Sequence, residues 1–498
     1  MVNNKNGTGT QWLFWTCFIA LVATSFGFIV RAQIIGDLGA EFGLSETQKG
    51  EILGVGLWPF AISIILFSLV IDKIGYGTSL WFAFLCHVVS VFVTIFAKGY
   101  NMLYIGTFIL ALGNGTVEAV INPAVATIYS KEKTKWLNIL HAGWPGGLFL
   151  GGVLALFLGK SVSWQWKVAL LLIPAVVYGI MLIRCHFPVH ERVKTGVSYR
   201  DMLKEAGIII AIIAVVLIVL EVGRVFEWSL TIQLIIAAVL ILAYGIYVRS
   251  IGRPLIIFLV LIMIPLAITE LGTDSWITEL VKPVLGDNAG WVLVYTALIM
   301  MILRFSAGPI VERLSPLGLL AVCSTIAIVG LIFLSKATGI LVFVAATVYG
   351  IGKTFFWPTM LGVVAEQSPK GGALTINAIS GIGMLAVGII GAPFFGNIVD
   401  KPIERELKEN HPAIHQQVIV EERTSIFGDY KPVDKIKAQQ LDPAAQKTLN
   451  EITSTAQKDA LFTVAIFPVI MLICYLILIF YFRAKGGYKP VELGVQQV

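Results

Sequence analysis

An acid, an amide and a proline lie close together inside one long apolar stretch of the sequence, 102–128. Glu118 and Asn122 are four residues apart, and Pro123 follows directly. Residues four apart share one face of an α-helix, and proline removes a backbone hydrogen bond at the same level. A charged side chain at membrane depth costs about 3 kcal/mol or more, so such a residue is a functional candidate by default. A carboxyl group here can exchange a proton, and the amide can bind hydroxyl groups.

Two further apolar stretches carry similar chemistry. Asn138, His141 and Trp144 are spaced by three within 136–159, which again places them on one helical face. Lys353 and Trp357 lie within 338–366, followed by a proline. Amide and imidazole groups can bind a polar solute, and indole rings can stack on a sugar ring.

The elements that position these residues are predicted to be membrane helices. Hydrophobic residues make up 57% of the 498-residue chain, charged residues only 13%, and the mean hydropathy is +0.85. A membrane-spanning helix needs about 20 mostly apolar residues. The sequence therefore predicts an all-α polytopic membrane protein with fourteen spans near 11–33, 50–71, 78–97, 102–128, 136–159, 168–183, 206–222, 228–248, 254–276, 288–311, 316–335, 338–366, 371–398 and 460–482.

Charge placement predicts the orientation of these spans. With the N-terminus in the cytoplasm, the inner segments hold 17 Lys and Arg residues and the short outer segments hold 7. Cytoplasmic loops carry the excess of basic residues, so both termini are expected in the cytoplasm of a cell with the protein in its plasma (inner) membrane. The net charge of +6 is too small to suggest nucleic acid as a partner. The five cysteines lie in or beside apolar segments and are expected to be core residues.

The chain repeats itself after about 240 residues. Asp72, Lys73 and Gly75 follow the second span, and Glu312 and Arg313 give the same acid-then-base order in the corresponding loop. We expect these two loops to act in gating on the cytoplasmic side.

Two helix breaks and two asparagines keep nearly the same offset. Pro123 and Pro358 are 235 residues apart, and Asn138 and Asn377 are 239 apart. Parallel repeats of this kind are typical of secondary transporters. The predicted organisation is an N-terminal six-helix bundle over 1–185, a cytoplasmic linker over 186–205, an inserted transmembrane hairpin over 206–250 and a C-terminal six-helix bundle over 251–498.

The repeat makes Lys353 the counterpart of Glu118, so an acid and a base are expected to face each other across a central cavity. Burial favours the protonated carboxyl and a nearby ammonium favours the carboxylate, which suits Glu118 to proton coupling. A structural ion pair, or side chains that reach toward the membrane edges, remain alternatives. The residues expected to bind the solute are Asn122, Asn138, His141, Trp144, Trp357 and Asn377.

Other charged residues have less certain roles in the sequence. Glu270 and Asp274 share a face near the predicted outer end of their span, where cation or solute binding and simple solvation are both open. Arg304 is expected to reach the lipid phosphates. Residues 399–459 are too charged to enter lipid and are expected to form a small outer cap, which either docks a partner or is a tolerated insertion.

No motif indicates an enzyme. The sequence has no phosphate-binding loop of the Walker type and no Cys/His cluster with metal-ligand spacing. We therefore predict no catalytic residues, no metal and no cofactor, with a proton as the coupling ion and sodium as the open alternative.

The twelve repeat helices and the Asp72–Gly75 loop resemble the major facilitator superfamily over nearly the whole chain, apart from 206–248 and 399–459. Within it, the Glu118–Pro123 motif and Leu137-Asn138 are similar to the fucose/proton symporter branch. That resemblance implies that Glu118 takes part in proton coupling and sugar binding and that Asn138 belongs to the same site. Gly143–Gly147, in turn, resembles the Gly-Pro-rich motif of drug/proton antiporters, some of which have fourteen helices.

The sequence thus predicts a secondary active transporter that imports a sugar or sugar derivative with protons by alternating access. The alternative is a fourteen-helix drug/proton antiporter that exports amphiphilic compounds.

Overall fold

The structure, a computed structural model, describes residues 5–419, 427 and 431–494. Nearly all of them are helical, and the described part of the chain contains no β-strand beyond one isolated bridge between Ile419 and Val433. Thirteen of the described helices are long and apolar enough to cross a membrane, and one helix pair bent by 64° makes a fourteenth when counted as one span. The predicted all-α polytopic fold is confirmed.

The spans are labelled in chain order. They are α1 (Gly9–Phe42), α2 (Gln48–Ile74), α3 (Tyr76–Ile95), α4 (Tyr100–Ile128), α5 (Lys133–Leu158), α6 (Trp164–Leu182), α7 (Tyr199–Val225), α8 (Leu230–Val248), α9 (Pro254–Thr278), α10 (Gly290–Phe305 and Ala307–Arg313), α11 (Pro316–Lys336), α12 (Leu341–Gln367), α13 (Pro369–Asn410) and α14 (Pro443–Ala484).

Several spans are broken near their centres. α5 consists of Lys133–Leu140 and Gly143–Leu158, and α12 consists of Leu341–Lys353 and Phe356–Gln367. Pro145 and Pro358 lie just after these two breaks, where a proline cannot donate the backbone hydrogen bond that a continuous helix requires. In a membrane, such irregular backbone is tolerated where it is buried in protein or lines a cavity.

The helix pair α7–α8 lies beside the C-terminal helices. α7 contacts α13, whereas α8 is largely exposed along its length. Gly207 in α7 has a positive φ of 67°, and a side chain there would collide with the backbone of Gly252, 2.0 Å away. Glycine therefore permits the close approach that joins the hairpin to the start of α9.

The segment between α13 and α14 forms a small helical cap. α13 continues to Asn410, a short helix follows over Pro412–Val418, and another occupies Lys435–Gln439 before α14 begins. Apolar side chains from these helices are buried against one another, among them Leu407, Val418 and Leu449. Helical structure thus occupies 403–410 and 443–458 of the predicted insert, while 420–426 and 428–430 lie outside the described residues.

Candidate functional site

A cavity lies between the N-terminal helices α1–α6 and the C-terminal helices α9–α14. It encloses about 330 Å³ of space, part of it open to solvent. The residues that line it come from both sets of helices: Phe60, Ile64, Glu118, His141, Trp144, Glu270, Leu271, Arg304, Trp357 and Met384. The sequence-predicted residues Glu118, His141, Trp144 and Trp357 are therefore brought together.

On the N-terminal side, three polar side chains form a hydrogen-bonded chain. Asn122 donates from Nδ2 to Oε2 of Glu118 at 2.6 Å, and its Oδ1 lies 2.8 Å from Nε2 of His141. All three residues are buried. The break in α5 ends at this level and turns the imidazole toward α4. The arrangement links a carboxyl group, an amide and an imidazole in one line, as the spacing in the sequence predicts.

On the C-terminal side, the cavity holds an ion pair. Arg304 donates from NH2 to Oε1 of Glu270 at 2.7 Å, and both side chains are at most 2% exposed. The backbone N–H of Trp357 donates to the second oxygen of Glu270 at 2.9 Å. A buried pair of this kind is stable only when further hydrogen bonds satisfy the remaining polar atoms, and these partners supply them.

Arg304 also donates hydrogen bonds to backbone carbonyls at the breaks in α5 and α12. Its NH1 donates to the carbonyl of His141 at 2.8 Å, and its Nε donates to the carbonyl of Thr354 at 2.6 Å. These carbonyls lie four residues before Pro145 and Pro358, so they are the ones that the prolines leave without a helical donor. One guanidinium thus donates to a backbone carbonyl at the break in α5 and to another at the break in α12, and so bridges the two sets of helices.

A side chain also supplies the hydrogen bond that is lost at a third proline, Pro123 of α4. Pro123 leaves the carbonyl of Ala119 without its helical donor, and Asn377 of α13 donates to that carbonyl from Nδ2 at 3.0 Å. Asn377 was predicted to bind solute. In this conformation its amide instead joins α13 to α4.

Asn138 is placed similarly. It bonds Thr359 of α12 at 3.1 Å, and neither residue is among those that line the cavity. Nearby, Glu366 accepts from the hydroxyl of Thr134 at 2.5 Å. We call the face at which α1 begins and α14 ends the terminal face. Among the described residues, hydrogen bonds between α1–α6 and α9–α14 lie at the cavity or on its terminal side, so this side is closed.

The expected pairing of Glu118 with Lys353 is wrong in its geometry. Lys353 is buried, but its ammonium pairs with Asp274 and lies 5.4 Å from the ring centroid of Tyr349, away from the residues that line the cavity. The cation opposite Glu118 is Arg304. The repeat aligns the backbone of α4 with that of α12, but it does not preserve the direction in which each charged side chain points.

Glu270 and Arg304 are the two charged cavity residues that were not among those expected to carry the proton or bind the solute. Glu270 was placed near an outer helix end, yet α9 contains a π-helical turn over Ile268–Gly272 and its helix continues to Leu285, so residue 270 lies near mid-length. Arg304 was directed to lipid phosphates, yet it shares the buried face of α10 with Ala297 and Met300. That spacing of three, four and seven was visible in the sequence and would have turned Arg304 inward.

The indole rings form part of the cavity wall. Trp144 stacks on Phe60 with ring centroids 6.4 Å apart, and it also contacts Phe28. Trp357 holds Glu270 through its backbone rather than its ring. Both indoles lie beside the polar groups, where a sugar ring or another flat solute could contact them.

The two predicted gating loops lie on the terminal face. Asp72 pairs with Arg192 of the linker, Lys73 lies 5.5 Å from the ring centroid of Tyr199, and Gly75 makes the turn between α2 and α3 with a φ of 92°. Glu312 lies 3.4 Å from Lys135, which joins α10 to α5, and Arg313 ends α10.

This two-sided cavity, with broken helices and closed on one side, has the architecture of a secondary transporter. A family model of the Major Facilitator Superfamily matches residues 13–393. The chain belongs to the Major Facilitator Superfamily. As a superfamily member it is a membrane transporter of small solutes and not an enzyme.

Curated relatives are distant from this superfamily member. A TsgA homologue of Buchnera aphidicola is 26% identical over 181 residues, which cover 36% of this chain and 47% of that protein. A putative niacin/nicotinamide transporter of Bacillus subtilis, NiaP, is 24% identical over 181 residues, covering 36% and 42%. The chain thus matches less than half the length of these relatives.

Solved structures share the fold of this superfamily member. The proton:xylose symporter XylE has a TM-score of 0.63 at 13% identity, covering 94% of this chain and 95% of that one. The Escherichia coli fucose:proton symporter FucP has a TM-score of 0.55 at 15% identity, covering 91% and 98%. The human organic anion transporter MFSD10 has a TM-score of 0.61 at 11% identity, covering 94% and 99%.

Proposed function

We propose that this chain imports a small, electrically neutral polar solute, a sugar or sugar derivative, together with protons by alternating access. The observation that carries the proposal is the charge of the central cavity. Arg304 compensates Glu270, but no base in the described part of the chain is paired with Glu118. A buried carboxylate without a counter-charge is unfavourable. Glu118 therefore takes up a proton or bonds a donor of the solute when the cavity closes.

The charge of the cavity also selects the solute. Three of the five N–H groups of Arg304 already donate, to Glu270, His141 and Thr354, and Glu270 compensates its charge. An acidic solute would thus meet Glu118 beside a cation whose charge is already neutralised. A neutral solute with hydroxyl groups can donate to Glu118 and exchange hydrogen bonds with His141, while its apolar faces contact Trp144.

The transport cycle would use the contacts that close the terminal side. The structural likeness to the xylose and fucose symporters supports a sugar solute and proton coupling. We take the terminal face as the cytoplasmic side of the plasma membrane, as the distribution of Lys and Arg predicts. Separation of Asn138 from Thr359, and of Thr134 from Glu366, would then open the cavity to the cytoplasm.

The test has two stages, because the solute must first be found. Purified wild-type protein in lipid nanodiscs is heated with a panel of neutral sugars, polyols and sugar acids, since a bound solute raises the melting temperature by mass action. We expect hits among neutral compounds. Hits confined to sugar acids would contradict the charge argument.

The second stage uses Glu118→Gln in proteoliposomes with the solute found. Gln keeps the hydrogen bond from Asn122 but cannot exchange a proton. We expect accumulation driven by a pH gradient to be lost, while exchange of labelled for unlabelled solute continues. Full proton-driven accumulation by this variant would remove Glu118 from coupling. Glu132→Gln, an acid on the surface of the terminal face, serves as the matched control.

The aromatic walls favour one second candidate, export of an amphiphilic cation in exchange for protons. Phe60, Trp144 and Trp357 surround the same space as Glu118, and aromatic faces attract cations. Cells that produce the protein would then resist lipophilic cations, and Glu118→Gln would abolish the resistance. The import proposal predicts no change in resistance.

A further inference from the structure

A second cavity lies inside the N-terminal helices, toward the face opposite the terminal face. It encloses about 410 Å³, part of it open to solvent, and shares none of its lining residues with the central cavity. α1, α2, α3, α4 and α6 form its walls. Thr94 lies one residue before the end of α3, and Leu103 lies in the first turn of α4, which places the cavity at that face.

Arg31 of α1 is the charged residue that lines this cavity. Among the described residues, its guanidinium has no hydrogen bond and no ion pair. The nearby acids are already engaged: Asp37 pairs with Lys167 at 3.2 Å, and Glu51 accepts from the hydroxyl of Tyr100 at 2.5 Å. Arg31 is partly exposed, so solvent reaches its guanidinium, and the cavity has a charge that no acid among the described residues balances.

A second polar group in the cavity also lacks a partner. Thr94 is 3% exposed, and its hydroxyl makes no hydrogen bond in the part of the chain that the structure describes. The other hydroxyls on the wall, those of Ser90 and Thr107, donate to backbone carbonyls within their own helices. The cavity therefore offers one cation and one free hydroxyl donor.

The remaining walls are apolar. They consist of Gly27, Val30, Ile34, Leu38, Ile52, Val91, Leu103, Leu110, Val168 and Leu171. A fully hydrated inorganic ion gains nothing from such walls, whereas an apolar body attached to the charged group gains about 25 cal/mol for each Å² buried.

We propose that this cavity is a binding site for an oxyanion, a carboxylate or phosphate group, carried on a small apolar body. The anionic oxygens accept from the guanidinium of Arg31, whose planar donors suit such a group, and one of them accepts from Thr94. The apolar body lies between α1, α4 and α6. The ligand comes either from water as a free amphiphilic anion or from the bilayer as an anionic lipid.

The first experiment measures binding of hexanoate by the full chain in phosphatidylcholine nanodiscs, with hexanamide as the uncharged probe. We expect saturable binding of hexanoate by calorimetry, with a rise in melting temperature, and neither effect with hexanamide. Arg31→Gln should weaken hexanoate binding by about 10-fold to 100-fold, the range for a lost charge-assisted hydrogen bond. Arg249→Gln removes an exposed cation in the same way and should leave binding unchanged.

Thr94→Val keeps the charge and the shape of the side chain, so it serves if Arg31→Gln does not fold. Loss of one hydrogen bond should weaken hexanoate binding about fivefold.

A second arm tests the bilayer as the source. Native mass spectrometry of protein from phosphatidylglycerol-containing membranes should show retained phosphatidylglycerol that Arg31→Gln loses, if a lipid is the ligand. Arg31-dependent binding of either probe supports the site and names its source. Equal binding by wild type and both variants, equal binding of hexanamide, or no binding of either anion overturns it.

Discussion

The two halves of the central cavity use charge in opposite ways. On the N-terminal side, Glu118 bonds the amide of Asn122, which in turn bonds His141, and Glu118 pairs with no base among the described residues. On the C-terminal side, Glu270 is neutralised by Arg304. The first arrangement can gain or lose a proton without breaking an ion pair, whereas the second holds the two halves together. We infer that the titrating group and the structural ion pair have been separated between the halves.

The same asymmetry extends to the gating loops. Asp72 lies in a buried pair with Arg192, while Glu312 is 65% exposed and only loosely paired with Lys135. The repeat is clear in the backbone, where Pro123 lies inside α4 and Pro358 lies at the corresponding level of its counterpart α12. The side-chain chemistry differs between the halves, while the positions of these two prolines correspond.

The strongest test of the comparison is Arg304→Gln. It leaves Glu270 without its counter-charge and removes the side-chain donor from the carbonyls of His141 and Thr354, so we expect a loss of about 3–5 kcal/mol of stability, which is typical of a broken buried ion pair. Protein yield and melting temperature in detergent measure the effect. The double variant Glu270→Gln with Arg304→Gln should recover part of the loss. A fully stable single variant would contradict the structural role.

A weaker effect is expected at Lys353. Replacing it with Met leaves Asp274 unpaired at a site that is 13% exposed, so we expect a loss of about 1–3 kcal/mol. Adding Asp274→Asn should restore the melting temperature. If the comparison holds, this double variant also keeps the pH dependence of uptake unchanged, because the pair is not part of the central cavity. A shift in the pH profile of uptake would show that Lys353 takes part in proton coupling.

Asn377→Ala tests the hydrogen bond that replaces the one Pro123 cannot donate in α4. The variant leaves the carbonyl of Ala119 without its donor, and we expect about 1 kcal/mol less stability for the closed terminal side. Cysteines introduced as pairs across the interface of α4 and α13 would then react faster with a soluble thiol reagent applied to the terminal face. Ser380→Ala, on the same helix but bonded only within it, is the control and should leave the rate unchanged.

Sequence reasoning predicted the fold more fully than the site. Apolar length and composition determine the spans, because the bilayer imposes both. The spacing also placed Glu118 and Asn122 on one face of their helix and His141 on one face of the next, and the structure brings these two faces together. Lys353 and Glu270 were misplaced for a different reason. The direction of a side chain depends on local helix geometry, and a π-helical turn or a break rotates everything beyond it.

The smallest expected effect distinguishes the two gating loops. His190 lies beside the Asp72 loop, and its Nδ1 accepts from the backbone N–H of Arg192 at 3.1 Å. The pKa of His190 is lowered to about 4 from the usual 6.5, chiefly by burial. The charges of Arg192 and Lys133 also lower this pKa, whereas those of Asp72 and Glu191 raise it. Because the neutral form is favoured in the folded state, its contribution is complete above pH 6.5 and declines as the pH falls toward 4.

We therefore expect hydrogen exchange in 186–198 to increase between pH 7 and pH 5, after correction for the intrinsic rate, while exchange in 306–316 stays the same. The melting temperature should fall by about 2–4 °C over this range. His190→Asn keeps a side-chain acceptor at the start of the short helix Glu191–Lys194 but cannot be protonated there, so it should remove the pH-dependent part. Equal increases in both loops would show that acid loosens the terminal face as a whole, and the difference between the halves would then not extend to their response to pH.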